Sequence, residues 1–204
     1  MNKTLSQKVY ESIVDSIITG KFEENTVISE NELVQNLGVS RSPVREALVR
    51  LCNEDILYSI PRFGYKLKIA NQKYLEEIIQ FRLIMEPAYL SKHFDRLTEI
   101  DIKSIEDKIV VMDKGEFHTP SEYWEKTSLF HIELAYSYRD QYFYDMLKQV
   151  LDKQWITFSM LYWNNWSSVV DSKLIDRHME ILRAIKDGNK EEAVNMLIKD
   201  IRSF

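Results

Sequence analysis

Two arginines spaced four residues apart are the clearest chemical signal in this chain. In a helix this spacing places Arg41 and Arg45 on one face, while Val44, Leu48 and Leu51 fall on the other. A helix that buries one face and directs two guanidinium groups outward suits the major groove of DNA. There, arginine pairs with guanine edges or with phosphate oxygens. We therefore interpret this segment as a DNA-recognition helix.

Three polar residues on otherwise apolar helical faces form a second signal. His131 lies between Phe130 and Leu134, and His178 and Asp200 each lie on an apolar stripe. Two imidazoles and one carboxylate suit zinc, nickel, iron or manganese, with further coordination positions left for water or an effector carboxylate. A hydrogen-bonded cluster without metal explains the same residues, because buried polar groups need partners.

The elements that position the arginines are three short helices. The first is predicted over 4–19, and the second runs from Ser29, as its cap, to Gly38. The third begins near Ser40 or Ser42, either of which serves as its cap, with a proline tolerated in its first turn. Two helices joined by a short turn with glycine form a helix-turn-helix.

A β-hairpin is predicted after the recognition helix. Two β-prone runs, 56–60 and 65–69, flank a turn containing proline and glycine. A hairpin after a helix-turn-helix is a wing. Its tip, Arg62 with Gly64, suits a phosphate backbone or a minor groove, because glycine lets the main chain approach closely.

From residue 71 onward the pattern is helical throughout. The fold class is mainly α, with a winged helix-turn-helix over 1–70 and an all-α six-helix bundle over 71–204. The predicted helices span 71–92, 98–114, 120–137, 140–164, 168–187 and 189–203.

Composition and charge narrow the class of protein. The 204 residues include one cysteine, contain no apolar run long enough for a membrane span and begin without a secretory signal, which favours a cytoplasmic protein. The net charge is −5, and residues 71–204 carry all of it, because nine basic residues balance nine acidic ones over 1–70. A locally basic surface within 41–68 still allows DNA binding.

The N-terminal part resembles the GntR family of bacterial winged-helix transcription regulators, and the remainder resembles the FadR-type C-terminal domain (FCD) in its smaller, VanR-like version. The likeness covers nearly the whole chain. It lies in Val39–Leu48, in Pro61–Tyr65, in Phe81–Glu86, in Phe130-His131, and in His178 with the apolar residues after it up to Gly188.

The resemblance assigns DNA contacts. It implies contacts from Ser40, Arg41, Ser42, Pro43 and Arg45. Family members often carry an arginine where this chain has Asn31, which is still able to bond a phosphate.

The resemblance also implies a metal set. Many members bind metal through an aspartate, a histidine four residues later and two further histidines. His131 and His178 match this pattern, whereas Thr127 stands in place of the aspartate and Asp200 in place of the last histidine. A set of two histidines and one carboxylate remains, and Thr127 is placed to orient a ligand or a water.

Arg82 is a candidate for binding the effector. In the family the matching arginine faces the effector cavity, where it would pair with a carboxylate. A salt bridge to Glu86, four residues on, is the equal alternative. The aromatic cluster at Trp155, Phe158, Tyr162, Trp163 and Trp166 lines a pocket or a dimer seam, although core packing explains most of it.

These expectations describe a homodimeric repressor, not an enzyme, that binds a palindromic operator in double-stranded DNA and responds to a small organic acid. Two alternatives stay open at this point. A metal-dependent hydrolase using His131, His178 and Asp200 leaves the winged helix unexplained. A metal-free adaptor would bind a protein partner through the bundle.

Overall fold

A computed structural model describes residues 3–22, 26–68, 70–112, 120–162 and 174–203. The chain divides into two compact units. The first is Met1–Gln72 with Ile156–Trp163, and the second is Lys73–Trp155 with Asn164–Phe204. No helix in the described ranges is both long enough and apolar enough to cross a membrane.

Three helices form the body of the first unit: α1 (Leu5–Ile18), α2 (Glu30–Leu37) and α3 (Arg41–Asn53). The side chain of Thr4 caps α1 by accepting a hydrogen bond from the main-chain N–H of Gln7 at 3.1 Å. Gly38 ends α2 in the left-handed conformation, at φ 64°, which glycine adopts without steric cost. The predicted helix-turn-helix is confirmed.

The wing is an antiparallel hairpin of β1 (Leu57–Ile60) and β2 (Gly64–Leu67), in which Leu57 pairs with Leu67 and Ile60 with Gly64. The predicted hairpin is confirmed, with each strand one residue shorter than expected and β2 beginning one residue earlier. Ile28, before α2, adds a bridge to Tyr65 that the sequence did not predict.

The second unit is helical over its described residues, as predicted, and no strand occurs there. The first predicted residues of the 168–187 helix, and Trp163 and Trp166 of the aromatic cluster, lie outside the described residues. The helices are α4 (Gln72–His93), α5 (Glu99–Met112), α6 (Pro120–Ser137), α7 (Gln141–Tyr162, whose last residues belong to the first unit), α8 (Leu174–Lys186) and α9 (Lys190–Ile201), with a 3₁₀ turn at Phe94–Arg96.

The core of the second unit gathers large apolar side chains from its helices. Its most deeply buried members include Leu90, Phe130, Leu147, Ile181 and Leu197. Among the described residues of this unit, seven polar side chains are 4% exposed or less, and five of them carry a charge or an imidazole: Arg82, Glu86, His131, His178 and Asp200. Because burying polar groups is costly unless they are paired or bind a ligand, these five residues mark the site.

Candidate DNA interface and metal centre

The face of α3 that carries the two arginines is open to solvent. Arg41 and Arg45 are exposed, and neither makes an ion pair within the described part of the chain. The opposite face holds Val44, Leu48 and Leu51, none of which is more than 1% exposed. This division follows from the helical spacing of the apolar residues, and it leaves both guanidinium groups available to DNA.

The remaining predicted contacts of this surface differ in their accessibility. Ser40, Ser42 and Asn31 are exposed, and the Ser42 hydroxyl donates to Glu46 at 3.0 Å. Pro43 is buried, at odds with its predicted role as a DNA contact. Its ring lies in the first turn of α3, so we assign it to starting the helix.

The wing tip exposes Arg62 at a positive φ of 70°, beside Gly64 at φ 133°. A Cβ on Gly64 would lie 2.5 Å from the carbonyl oxygen of Ile28. Glycine is therefore required here by a close approach of two main chains, as well as by its conformation. The close approach joins the wing to the segment before α2.

The three predicted metal ligands meet in the core of the second unit. Nε2 of His131, on α6, lies 3.1 Å from Oδ2 of Asp200, on α9. Nε2 of His178, on α8, lies 3.4 Å from the same oxygen. All three atoms lie within 4.8 Å of one another. None of the three has a hydrogen-bond partner among the described residues, because the alignment of these close pairs is poor.

This geometry fits a metal ion. Ligand atoms bound to one ion at about 2.0–2.2 Å are separated from each other by about 3–3.5 Å, which matches both measured distances. With both imidazoles neutral and their protons on Nδ1, the two Nε2 atoms and Oδ2 of Asp200 are three buried acceptors, and a cation bound between them offsets the cost of burying them. Two imidazoles and a carboxylate are a donor set that several transition metals accept.

A buried carboxylate supports the first ligand from behind. Oε2 of Glu86 lies 2.6 Å from Nδ1 of His131. With the proton on Nδ1 donated to Glu86, the Nε2 lone pair of His131 points to the metal position. The side chain of Glu86 therefore selects the tautomer that binds metal.

Arg82 continues this chain of contacts. Its Nε donates to Oε1 of Glu86 at 2.6 Å, and its Nη1 donates to Oε1 of Gln154 at 2.8 Å. The salt bridge that the spacing allowed is therefore present, and Arg82 has no exposed surface. Its predicted contact with an effector is not visible in this arrangement and stays a prediction.

On the other side of the cluster, Arg177 lies against Asp200. Nε of Arg177 donates to Oδ1 of Asp200 at 3.4 Å, and Nη2 donates to the hydroxyl of Ser203 at 2.7 Å. The two oxygens of Asp200 thus have separate roles, because Oδ1 faces an arginine and Oδ2 faces the histidines.

The charges around the site shift the pKa of each carboxyl group downward. Burial raises the pKa of Glu86, but Arg82 and His131 outweigh this effect and lower it to about 2. Burial also raises the pKa of Asp200, and His131 and His178 lower it well below its ordinary range. Both groups are therefore carboxylates at neutral pH.

The two histidines differ in their protonation. Burial lowers the pKa of His131, but the negative Glu86 outweighs this effect and raises it. Burial lowers the pKa of His178, and Asp200 only partly offsets that effect. His178 is therefore neutral and ready to bind a metal, whereas a metal at His131 displaces a proton.

Thr127 lies one turn before His131 and is buried, as predicted from its position. Its hydroxyl donates to the main-chain carbonyl of Trp124 at 3.0 Å, within its own helix. The structure gives it no contact with the three ligand atoms, so its effector role stays a prediction. The cleft beside His131, which Tyr138 and Phe143 help to line, has no room for a water molecule.

Comparison with known families decides the identity of both units. The model described as bacterial regulatory proteins, gntR family, matches residues 5–66, and the FCD domain model matches residues 77–203. The chain belongs to the GntR family and carries an FCD domain. It is therefore a DNA-binding transcription regulator, and the hydrolase alternative is set aside.

Several curated GntR-family regulators are similar to this chain. The gluconate operon transcriptional repressor of Bacillus subtilis is 26% identical over 200 residues, covering 89% of this chain and 75% of that protein. The Nta operon transcriptional regulator of Aminobacter aminovorans is 23% identical over 181 residues, covering 89% and 83%.

Solved structures share the fold. McbR/YncC of E. coli has a TM-score of 0.73 at 19% identity, covering 98% of this chain and 95% of that chain. Lar, which controls the agr system of Listeria monocytogenes, has a TM-score of 0.67 at 20% identity, covering 99% and 95%. These likenesses confirm a winged helix-turn-helix with a helical domain.

Three residues that contact the buried cluster, Glu86, Gln154 and Arg177, were not predicted from the sequence as parts of it. Glu86 was considered only as a partner of Arg82, whereas its contact with His131 joins positions 45 residues apart. The sequence around Gln154 and Arg177 did not indicate a role in the site, because single polar residues are common on helices. Helical spacing from His178 would not reveal Arg177, which is its neighbour in sequence.

Proposed function

We propose that this GntR-family chain is a repressor that acts as a homodimer on a palindromic operator and releases it when a small carboxylate binds in the FCD domain. We propose further that a divalent metal ion held by His131, His178 and Asp200 is part of that effector site. The convergence of three buried ligand atoms that lack hydrogen bonds is the observation that carries the proposal.

The dimer follows from the size of the DNA-reading surface. One recognition helix with one wing reads only a few base pairs, so a specific site needs two copies. Two copies related by a two-fold axis read half-sites that mirror that symmetry. The one exposed pair near the start of α3 in each chain, Arg41 and Arg45, is consistent with this requirement.

The metal site favours an acidic effector. Bound there, a zinc, nickel, iron or manganese ion would act as a Lewis acid with coordination positions left for an effector oxygen. Two residues of the chain would hold the ligands in position: Glu86 orients His131, and Arg177 donates to the other oxygen of Asp200. Arg82 lies on the far side of Glu86 and would gain a second carboxylate if the effector opened the cleft.

A first choice of effector comes from the relatives. One of them is named for the gluconate operon, and gluconate is a small hydroxylated carboxylate. Whatever the acid, it must bind the DNA-competent and DNA-incompetent arrangements with different affinities, because equal affinity shifts no equilibrium.

Elemental analysis and DNA binding test the proposal together. We expect the purified protein to contain about one divalent metal per chain, and the double variant His131→Ala with His178→Ala to contain none while remaining folded. His93→Ala is the matched control, since His93 is also buried on a helix of the second unit but lies outside the cluster.

The effector arm uses gluconate and a panel of small carboxylates as probes. We expect at least one acid to weaken DNA binding by the wild-type protein and to have no effect on the double variant. Absence of metal from the wild-type protein, together with an acid response that the double variant retains, would contradict the metal-linked mechanism.

A further inference from the structure

The wing carries an aromatic side chain at its tip. Phe63 is 75% exposed, more than any other large apolar side chain that the structure describes in the first unit, where the next, Leu5, is 50% exposed. A single exposed apolar side chain is common on protein surfaces, but an aromatic ring at the tip of a DNA-binding wing has a flat apolar surface that can stack on bases. Neither the predicted DNA contacts nor the core of the unit accounts for this residue.

The turn holds Phe63 in place. The main-chain N–H of Phe63 donates to the carbonyl of Ile60 at 3.0 Å, which closes a four-residue turn. Pro61 fixes the second position of this turn, and Arg62 takes the left-handed conformation, φ 70°, at the third. This is the pattern of a type II turn, with an arginine where glycine is usual. The tip is therefore a defined turn.

The segment before α2 braces the same turn from one side. The N–H of Ile28 donates to the carbonyl of Tyr65 at 2.7 Å, and the N–H of Tyr65 donates back at 2.9 Å. The hydroxyl of Tyr65 donates to Glu30 at 3.1 Å. A rigid support of this kind lowers the entropy lost when the exposed ring enters a partner.

The surroundings of Phe63 are positively charged. Arg62 is exposed beside it, Lys66 follows on β2, and no acidic residue occurs between residues 56 and 71. The same unit exposes Arg41 and Arg45 on α3, the helix that suits the major groove. Grooves alternate along a duplex, so a wing beside a major-groove helix faces the neighbouring minor groove.

We propose that Phe63 is a wedge residue that enters the minor groove next to each half-site and partly unstacks one base step. Apolar side chains that do this kink the duplex by about 20–90°, and nearby cations hold the phosphates on either side. The partner that covers the exposed ring of Phe63 is thus DNA, and the positive charge of Arg62 attracts its phosphates. This inference rests on DNA binding by the winged helix and adds a deformation of the operator to it.

The test uses full-length protein and a duplex that the wild-type protein enriches from a randomised pool. The bend angle is measured by energy transfer between the duplex ends. Unstacking is measured with 2-aminopurine placed in turn at the positions that flank each half-site. The variants are Phe63→Ala, Phe63→Leu, which keeps an apolar wedge, and Tyr142→Ala, a matched control at 76% exposure in the second unit.

We expect the wild-type protein to bend the duplex and raise 2-aminopurine fluorescence at one step per half-site. Phe63→Ala should abolish both signals and weaken binding about tenfold, since losing an aromatic contact with bases has effects of this size. Phe63→Leu should keep most of the bend, and Tyr142→Ala should keep all of it. Circular dichroism should show every variant folded, because the changed side chains are exposed.

Three results would overturn the wedge while leaving DNA binding intact. One is a bend and affinity for Phe63→Ala within twofold of the wild type. Another is weaker binding by Phe63→Ala when the wild-type protein neither bends nor unstacks the duplex, which would mean a surface contact only. The last is an unchanged bend with Phe63→Ala together with a changed sedimentation of that variant in the absence of DNA. This result would assign Phe63 to a contact between protein chains. Failure of the wild-type protein to enrich any duplex would overturn DNA binding as well.

Discussion

Replacing Glu86 by glutamine should destabilise the FCD domain strongly, because Glu86 holds two positive partners in the core. The side chain is 4% exposed, and its oxygens lie 2.6 Å from Nε of Arg82 and 2.6 Å from Nδ1 of His131. Glutamine keeps the shape and removes the charge. Arg82 then stays buried with no carboxylate beside it, and a buried charge without a partner lowers the stability of the fold.

The pKa of Glu86 sets the size of the effect. A pKa of about 2 in the folded chain, against 4.5 ordinarily, corresponds to about 3 kcal/mol of stability from the ionised group at neutral pH. Breaking a buried ion pair by removing one partner costs about 3–5 kcal/mol, which agrees. Because folding lowers the pKa, this stability is present above pH 4.5 and is lost as the pH falls towards 2.

Urea denaturation of chelator-treated protein measures the change. Tryptophan fluorescence reports this unfolding, because Trp124 and Trp155 stack against each other within the second unit. Glu86→Gln should lose about 3 kcal/mol at pH 7. The control Glu77→Gln, on the same helix but 60% exposed and 3.8 Å from Lys73, should lose less than about 0.5 kcal/mol.

A double variant separates the charge effect from a general disturbance of packing. Arg82→Met combined with Glu86→Leu leaves no unpaired charge of the pair in the core, so it should recover most of the lost stability. If Glu86→Gln costs less than about 1 kcal/mol, or if the double variant loses as much stability as Arg82→Met and Glu86→Leu added together, the buried ion pair does not stabilise the domain.

Three further predictions concern other parts of the chain. Arg45→Ala should weaken binding to an enriched duplex by about 1–3 kcal/mol in a salt-matched titration, and an unchanged affinity would remove Arg45 from the interface. Gly64→Ala should lower both the melting temperature and DNA affinity, because the new Cβ would meet the Ile28 carbonyl at 2.5 Å; an unaltered melting curve would show that the wing adjusts freely. Burial raises the pKa of Asp101, but hydrogen bonds from Thr98 and Arg139 hold it below 3.8, so the stability it contributes is present above that pH and lost below it. Asp101→Asn should flatten this acid dependence in urea melts, and an identical pH profile would argue against it.

The sequence predicted the elements well where local rules decide them. Gly38 ends α2 in the left-handed conformation, and the turn around Gly64 joins two short strands, because glycine and proline restrict the chain whatever surrounds them. Ser29 was expected to cap α2 and does occupy the N-cap position, but its side chain makes no cap hydrogen bond. Capping depends on side-chain rotation as well as residue type.

Contacts between distant segments were predicted less well. The bridge from Ile28 to Tyr65 was missed because two apolar residues before a helix are too few to show strand alternation. Pro43 was assigned to DNA from likeness, although its position places it on the buried side of α3. The inward direction of His131 was predictable from Phe130 and Leu134. Its contact with Glu86 was not, because that contact depends on how α4 and α6 pack against each other.

The charges of the buried cluster predict that an acid, and not a cation, would bind beside a metal ion held there. Two arginines, Arg82 and Arg177, balance two carboxylates, Glu86 and Asp200, so with neutral imidazoles the cluster carries no net charge. A divalent ion would add two positive charges in a medium that screens poorly. One carboxylate would neutralise half of that excess, and a dicarboxylate all of it. Metal binding should therefore strengthen carboxylate binding, and by reciprocity the acid should strengthen retention of the metal. Equal metal affinity with and without a bound acid, in a zinc titration of the full chain, would show that the two ligands do not share this site.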